Sequence, residues 1–143
     1  MEEQEKTKIR KIKTAQFGEL EVEEQYIFRF EEGVLGFENL NEFVLISEED
    51  SDPFKWLISV DEPAVGFPLI SPWHIDVEYD PGKKFNLEKQ VLFVVITLGD
   101  ESGAITANMK APIVLNIEDQ AGEQVILPKD KYSTTHLIYQ KET

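Results

Sequence analysis

Two histidines, twenty-eight carboxylates and no cysteine bound the chemistry open to this chain. His74 follows Pro72 and Trp73, and His136 lies near the C-terminus. Metal sites favour closely spaced ligands such as a His-x-x-x-His pair, which these two are not, so each reads as a packing or surface residue. The lack of cysteine excludes disulfides, thiol catalysis and Cys-ligated zinc. Paired carboxylates serve glycoside hydrolysis, but among so many acids the proximity of one pair identifies nothing. No Gly-x-Ser-x-Gly elbow announces a nucleophilic serine. Ser47 to Asp52 carries Glu48, Glu49, Asp50 and Asp52. It lacks the alternating ligands, central glycine and closing glutamate of an EF-hand, so it reads as a solvated acidic loop. Gly33 and Gly36 lack the Lys-Ser/Thr or dinucleotide signature of a phosphate cradle. They mark backbone that needs positive φ or close approach. No cofactor, metal or catalytic residue is expected.

The elements that position these groups follow from composition and patterning. At 143 residues and 41% hydrophobic content, the chain is one domain with a proper core. Residues 1–7 and 138–143 are expected to be frayed. There is no apolar run of about eighteen residues and no cationic-then-apolar leader, so no membrane span or signal peptide is readable and a cytoplasmic protein is expected. Fourteen basic against twenty-eight acidic residues give a net charge of −14. Direct nucleic-acid binding is disfavoured, because phosphate contacts need a basic footprint. An acidic surface steers basic partners instead. From Glu38 to Glu62 only Lys55 offsets the carboxylates.

Short strands dominate the pattern. Lys8 to Thr14 supports a strand only in its second half; Gly18 turns the chain, and Leu20 and Val22 alternate with glutamates. Tyr26 to Phe30 predicts a strand with three aromatics on one face, joined to the preceding strands as a meander or hairpin. Asn39 to Asn41 and Phe85 to Gln90 each suit one helical turn. Phe43–Ile46, Phe54–Val60 and Val65–Ile70 read as strands, with Pro68 marking the last as an edge or bulged strand. Pro72-Trp73-His74 leaves the sheet, Ile75 to Tyr79 alternates again, and Asp80-Pro81-Gly82 turns. Val91 to Leu98 is the most apolar segment and the expected central strand. Gly99 to Gly103 is a turn. Asp119 to Gly122 is read as a hairpin turn with Gln124 to Leu127 returning, and Tyr132 to Tyr139 as an edge strand or loose tail. The fold class is all-β: a small closed or nearly closed antiparallel barrel with short helical turns.

One stretch combines strand and breaker. Ile105, Ala107 and Met109 alternate with Thr106, Asn108 and Lys110, and then Pro112 removes a backbone donor, so the ladder must break or bulge. Asn108 and Asn116 bracket the interruption, and their amides suit backbone groups that have lost ladder partners. A bent strand at a barrel corner is favoured over a binding epitope.

Read in order, Thr14-Ala15-Gln16-Phe17-Gly18-Glu19, Phe30-Glu31-Glu32-Gly33-Val34-Leu35-Gly36-Phe37-Glu38, Phe43-Val44-Leu45, Pro53-Phe54-Lys55-Trp56-Leu57 and Thr106-Ala107-Asn108-Met109-Lys110-Ala111-Pro112-Ile113 resemble the flagellar assembly factor FliW family. The resemblance spans about Ile12 to Tyr132. Gly33, Gly36, Phe37, Trp56 and Pro112 are its structural motif positions. Met109 stands where Leu is expected, Ile58 where Gln is common after Trp-Leu, and Tyr132-Ser133-Thr134-Thr135 lacks the Arg often found after that Tyr. The resemblance implies a β-barrel without enzymatic activity that binds flagellin in the cytoplasm. It further implies antagonism of the RNA-binding translational repressor CsrA, matching flagellin synthesis to secretion. Partner contacts are expected at Glu38, Glu48, Glu49 and Asp50, with Asn108, Lys110 and Asn116 as a polar rim. The alternatives are a nucleic-acid-binding OB-like barrel, which needs a basic groove, and a small carboxylate-dependent enzyme.

Overall fold

The apolar run after Lys89 becomes the longest strand, β7 (Gln90–Leu98), and the barrel closes on it. The computed structural model describes residues 8–99, 103–128 and 130–140. A first hairpin pairs β1 (Ile9–Thr14) with β2 (Gly18–Glu23). Then follow β3 (Ile27–Arg29), β4 (Glu42–Ser47), β5 (Lys55–Ser59) and β6 (Gly66–Ile70). A one-turn helix, α1 (Pro72–Ile75), precedes β7. The chain ends with β8 (Ile105–Ala107), β9 (Ile113–Asn116), β10 (Ala121–Gln124) and β11 (His136–Tyr139). Hydrogen bonding runs β7-β6-β5-β4-β3-β10-β9 and returns to β7, a closed seven-stranded barrel. All its pairings are antiparallel except β3 with β10. β8 and β11 extend the sheet from the C-terminal half of β7.

Three apolar clusters follow from this topology. Phe28, Phe30, Phe43, Leu57, Leu69, Phe93, Ile113 and Leu115 form the principal one. The β1–β2 hairpin supplies Ile12, Leu20 and Val22 to a second, with Val44, Ile46, Ile58 and Trp56. Register places Lys11 opposite Glu21 and Lys13 opposite Glu19. Arg10 ties the hairpin down through Glu24 and Glu42, each 3.5 Å away. The segment after β6 covers Val94, Ile96 and Met109 with Trp73, Tyr79 and Phe85. Ser71 caps α1, accepting from the Trp73 N–H, and Pro72 begins the helix where no intrahelical donor is needed.

Several expectations are corrected. β1 is strand throughout. Tyr26 belongs to a 3₁₀ turn, Glu24–Tyr26, and is exposed, so only Phe28 and Phe30 of the three aromatics are buried. β3 pairs with β4 and β10 rather than with β2, because that turn redirects the chain. Asn39 to Asn41 is not helical. Residues 85–90 do contain a helix-like turn, the Gln90 N–H donating to the Asn86 carbonyl at 2.9 Å. Ile75 to Tyr79 forms no strand; Ile75 closes α1, Val77 is exposed and Tyr79 is buried. β6 is interior to the barrel, not an edge. Pro68 is tolerated because Ser59 N–H bonds to Val65 C=O on the β5 side. The antiparallel alternation then turns the Pro68 nitrogen toward β7, whose ladder with β6 reaches only Leu69 and Ile70. The late hairpin turns at residues 117–120, and Gly122 sits in β10, where a Cβ would collide with the buried Phe30 ring. Ile138 and Tyr139, expected to be frayed, close β11, which pairs with β8 as an edge strand. The expected turn at Gly99 to Gly103 includes residues outside the described set, as do the expected frayed residues 1–7 and 141–143.

Candidate functional site

Two segments singled out by the sequence, Gly33–Glu38 and Asn108–Pro112, are held together by one amide. Gln124 Oε1 accepts from the Leu35 N–H at 2.9 Å, and its Nε2 donates to the Ala111 carbonyl at 3.0 Å. In sequence Gln124 stands only as part of a returning strand, and its polarity there is the available signal.

On one side of this staple, Gly33 and Gly36 take positive φ of 66° and 89°. A Cβ on Gly33 would lie 2.5 Å from the Phe37 carbonyl oxygen, so the tight turn requires glycine twice over. Phe37 N–H bonds back to Val34 at 2.6 Å, which buries Val34 and leaves Leu35 half exposed at the tip. Phe37 packs edge-on against Phe67. Glu38 is exposed and accepts from the Gly36 N–H at 3.0 Å. That backbone bond, and one from its own N–H, hold its carboxyl below the ordinary 4.5.

On the other side lies the interrupted strand. Ala107 stands opposite Ile96 and Ile113 opposite Phe93, so residues 108–112 face only Val94 and Val95 of β7. The bulge is almost fully bonded. Asn108 N–H donates to Val95, Met109 N–H to Ser133, and the Ala111 N–H to Asn108 Oδ1 at 3.0 Å. The carbonyls of Lys110 and Pro112 accept from Leu127 and Val125. The Met109 carbonyl accepts from the Tyr79 hydroxyl at 2.8 Å. Burial, and the nearby Tyr132, push the Tyr79 hydroxyl up from its ordinary 10.0. Met109, Ala111 and Pro112 are buried, which supports the barrel-corner reading. Lys110 reaches out to Asp130 at 2.7 Å. Asn116 caps the far end of β9, accepting from the Asp119 N–H at 3.2 Å.

The acidic residues do not form one patch. Glu38 precedes β4, whereas Glu48, Glu49 and Asp50 follow its other end, so the length of that strand separates them. Glu49 and Asp50 are exposed on a 3₁₀ turn, and Glu48 is half-buried. Lys55 bonds Ser47 Oγ at 2.8 Å and pairs with Asp52 at 3.4 Å. Among the described residues, the carboxylates of Glu48, Glu49 and Asp50 have no ion-pair partner. Asn108, Lys110 and Asn116 likewise divide: the first two share the bulge and the third is the last residue of β9. Trp56 packs edge-on against Phe17 under the first hairpin, and its indole N–H is buried without a hydrogen-bond partner among the described residues. Among the described residues no three His, Asp or Glu groups are arranged to hold a metal ion, and no helix is long and apolar enough to cross a membrane.

Comparison with known proteins agrees with this architecture. A family model described as FliW protein matches residues 11–138. A flagellar assembly factor FliW of Caldanaerobacter subterraneus subsp. tengcongensis is 36% identical over 140 residues, covering 91% of this chain and 93% of that protein. One of Geobacillus thermodenitrificans is 38% identical over 138 residues, covering 90% and 95%. A crystal structure of the flagellar assembly factor FliW superposes with a TM-score of 0.81 at 35% identity, covering 94% of this chain and all of that one.

Proposed function

The chain belongs to the FliW family, and on that premise we propose that it is a non-enzymatic cytoplasmic regulator that binds flagellin and antagonises CsrA. Its relatives are named assembly factors rather than enzymes. The observation that carries the CsrA half of the proposal is the unpaired acidic turn, Glu48, Glu49 and Asp50, on a chain of net charge −14. Such a surface attracts a positively charged RNA-binding protein and repels the RNA itself. Binding flagellin or CsrA would then draw on one free pool of this protein, so accumulated flagellin would release CsrA. The proposed contacts are Glu38, Glu48, Glu49 and Asp50, with Asn108 and Lys110 of the bulge and Asn116 at the end of β9 as a polar rim.

Charge reversal at Glu48, Glu49 and Asp50 tests this. The triple lysine variant is expected to bind CsrA more weakly than wild type at low salt, with a shallower loss of affinity as salt rises. Equal affinity at low salt would reduce the turn to a solvated loop.

A further inference from the structure

Among the described residues β2 pairs with β1 alone, which leaves its second edge without a strand partner there. β3 stops opposite Val44, so Leu45, Ile46 and Ser47 of β4 have no strand partner on the β3 side either. The two bare edges line a common groove. Leu20 to Glu23 form one wall, Leu45 to Glu48 the other, and Tyr26 and Lys55 complete it around a volume of about 420 Å³.

The β4 edge presents usable backbone groups. Val60, just after β5, donates to the Glu42 carbonyl, and antiparallel alternation then directs the backbone of Leu45 and Ser47 toward the β3 side, where Tyr26 stands opposite Leu45 in register and Ser47 is open. Ordinarily an exposed edge of this kind pairs with another chain unless charge or geometry prevents it. Here the charge is selective rather than merely protective. Glu21, Glu23 and Glu48 surround a floor of Leu20, Val22, Leu45 and Ile46. Among the described lining residues Lys55 is the one cation and is engaged by Ser47 and Asp52, while Lys11 stands opposite Glu21 on β1 and leaves Glu23 and Glu48 as the groove's uncompensated acids. An acidic strand is repelled, including a second copy of this chain at net −14. A strand alternating basic and apolar side chains meets carboxylates with one set and the apolar floor with the other.

We propose that the groove between β2 and β4 docks an extended, basic-and-apolar segment of a partner protein by strand addition. The site stands independently of the partners named above, although Glu48 is common to both.

The probe is a fluorescein-labelled eight-residue peptide of alternating lysine and valine, measured by anisotropy against the full chain. Three comparisons decide the matter: the same peptide N-methylated at alternate residues, a glutamate-valine peptide, and variants of the protein. Strand addition predicts at least tenfold weaker binding for the N-methylated peptide, because its charge is kept while ladder donors are lost. The glutamate-valine peptide is expected not to bind. Glu23→Lys with Glu48→Lys, and separately Tyr26→Ala, should each weaken the lysine-valine peptide at least fivefold, while Glu31→Lys with Glu123→Lys should change it less than twofold. Circular dichroism of each variant confirms that it folds. Equal binding of the methylated peptide, or equal loss in the Glu31/Glu123 variant, would reduce the groove to general electrostatics and overturn the proposal. Self-association abolished by Tyr26→Ala in sedimentation runs would assign the groove to a second copy and overturn it as well.

Discussion

Replacing Gln124 with alanine removes the amide that joins the Gly33–Glu38 turn to the bulge, and the two lost bonds differ in weight. The Leu35 N–H is at an exposed loop tip, where water replaces Gln124 Oε1, so that loss costs only about 0.5 kcal/mol. Ala111 is 2% exposed, and its carbonyl would be left without the Gln124 donor, which costs about 1–3 kcal/mol. Gln124→Ala is therefore expected to destabilise by roughly 1.5–3.5 kcal/mol. Urea unfolding followed by tryptophan fluorescence measures this as a lowered midpoint with an unchanged slope; at about 2 kcal/mol per molar, the shift is about 1 M. Gln124→Glu sharpens the test, because it keeps the acceptor for Leu35 and sets a carboxylate oxygen against the Ala111 carbonyl. It should be at least as destabilised as alanine at pH 7 and recover as the pH falls and the carboxyl becomes a donor. If both variants unfold within about 0.3 kcal/mol of wild type, the staple contributes nothing and the reasoning fails.

Two further outcomes follow from the same bonds. Tyr79→Phe should cost about 1–2 kcal/mol, since the buried Met109 carbonyl loses its hydroxyl partner. The folded-state value of this hydroxyl is raised, so its contribution is complete below pH 10 and fades as the pH rises above it. The stability gap between wild type and Tyr79→Phe should accordingly narrow in alkaline unfolding curves, and a constant gap would contradict the assignment. Glu38 has the opposite sign. Its folded-state value is lowered, so its contribution is complete above about pH 4.5 and is lost as the pH falls through the lower folded value. Melting curves should show the difference between wild type and Glu38→Gln shrinking below that pH, whereas a pH-independent difference would refute the Gly36 contact.

The legible parts of this fold were those set by local pattern. The apolar continuity of Val91 to Leu98 marked the strand on which the barrel closes, and Pro112 marked the break opposite it. Gly33 and Gly36 revealed their positive φ through residue type alone. Failures came where tertiary contacts override a local period. Ile75 to Tyr79 alternates like a strand, yet Ser71 and Pro72 start a helix there and Tyr79 turns inward to serve the bulge. Pro68 is compatible with an interior strand only because a neighbouring ladder stops short of it, which no single segment encodes. Within the candidate site, charge concentration identified the acidic residues but not their separation by β4, and Gln124 acts across long stretches of chain that a sequence scan does not connect.

The central claim, that this chain binds flagellin and CsrA, is tested most directly by titration calorimetry of the full chain against each of them from the same organism, with gel filtration of the mixtures. Saturable heat and a co-eluting complex are expected with flagellin and with CsrA. Neither heat nor complex with either protein would contradict it.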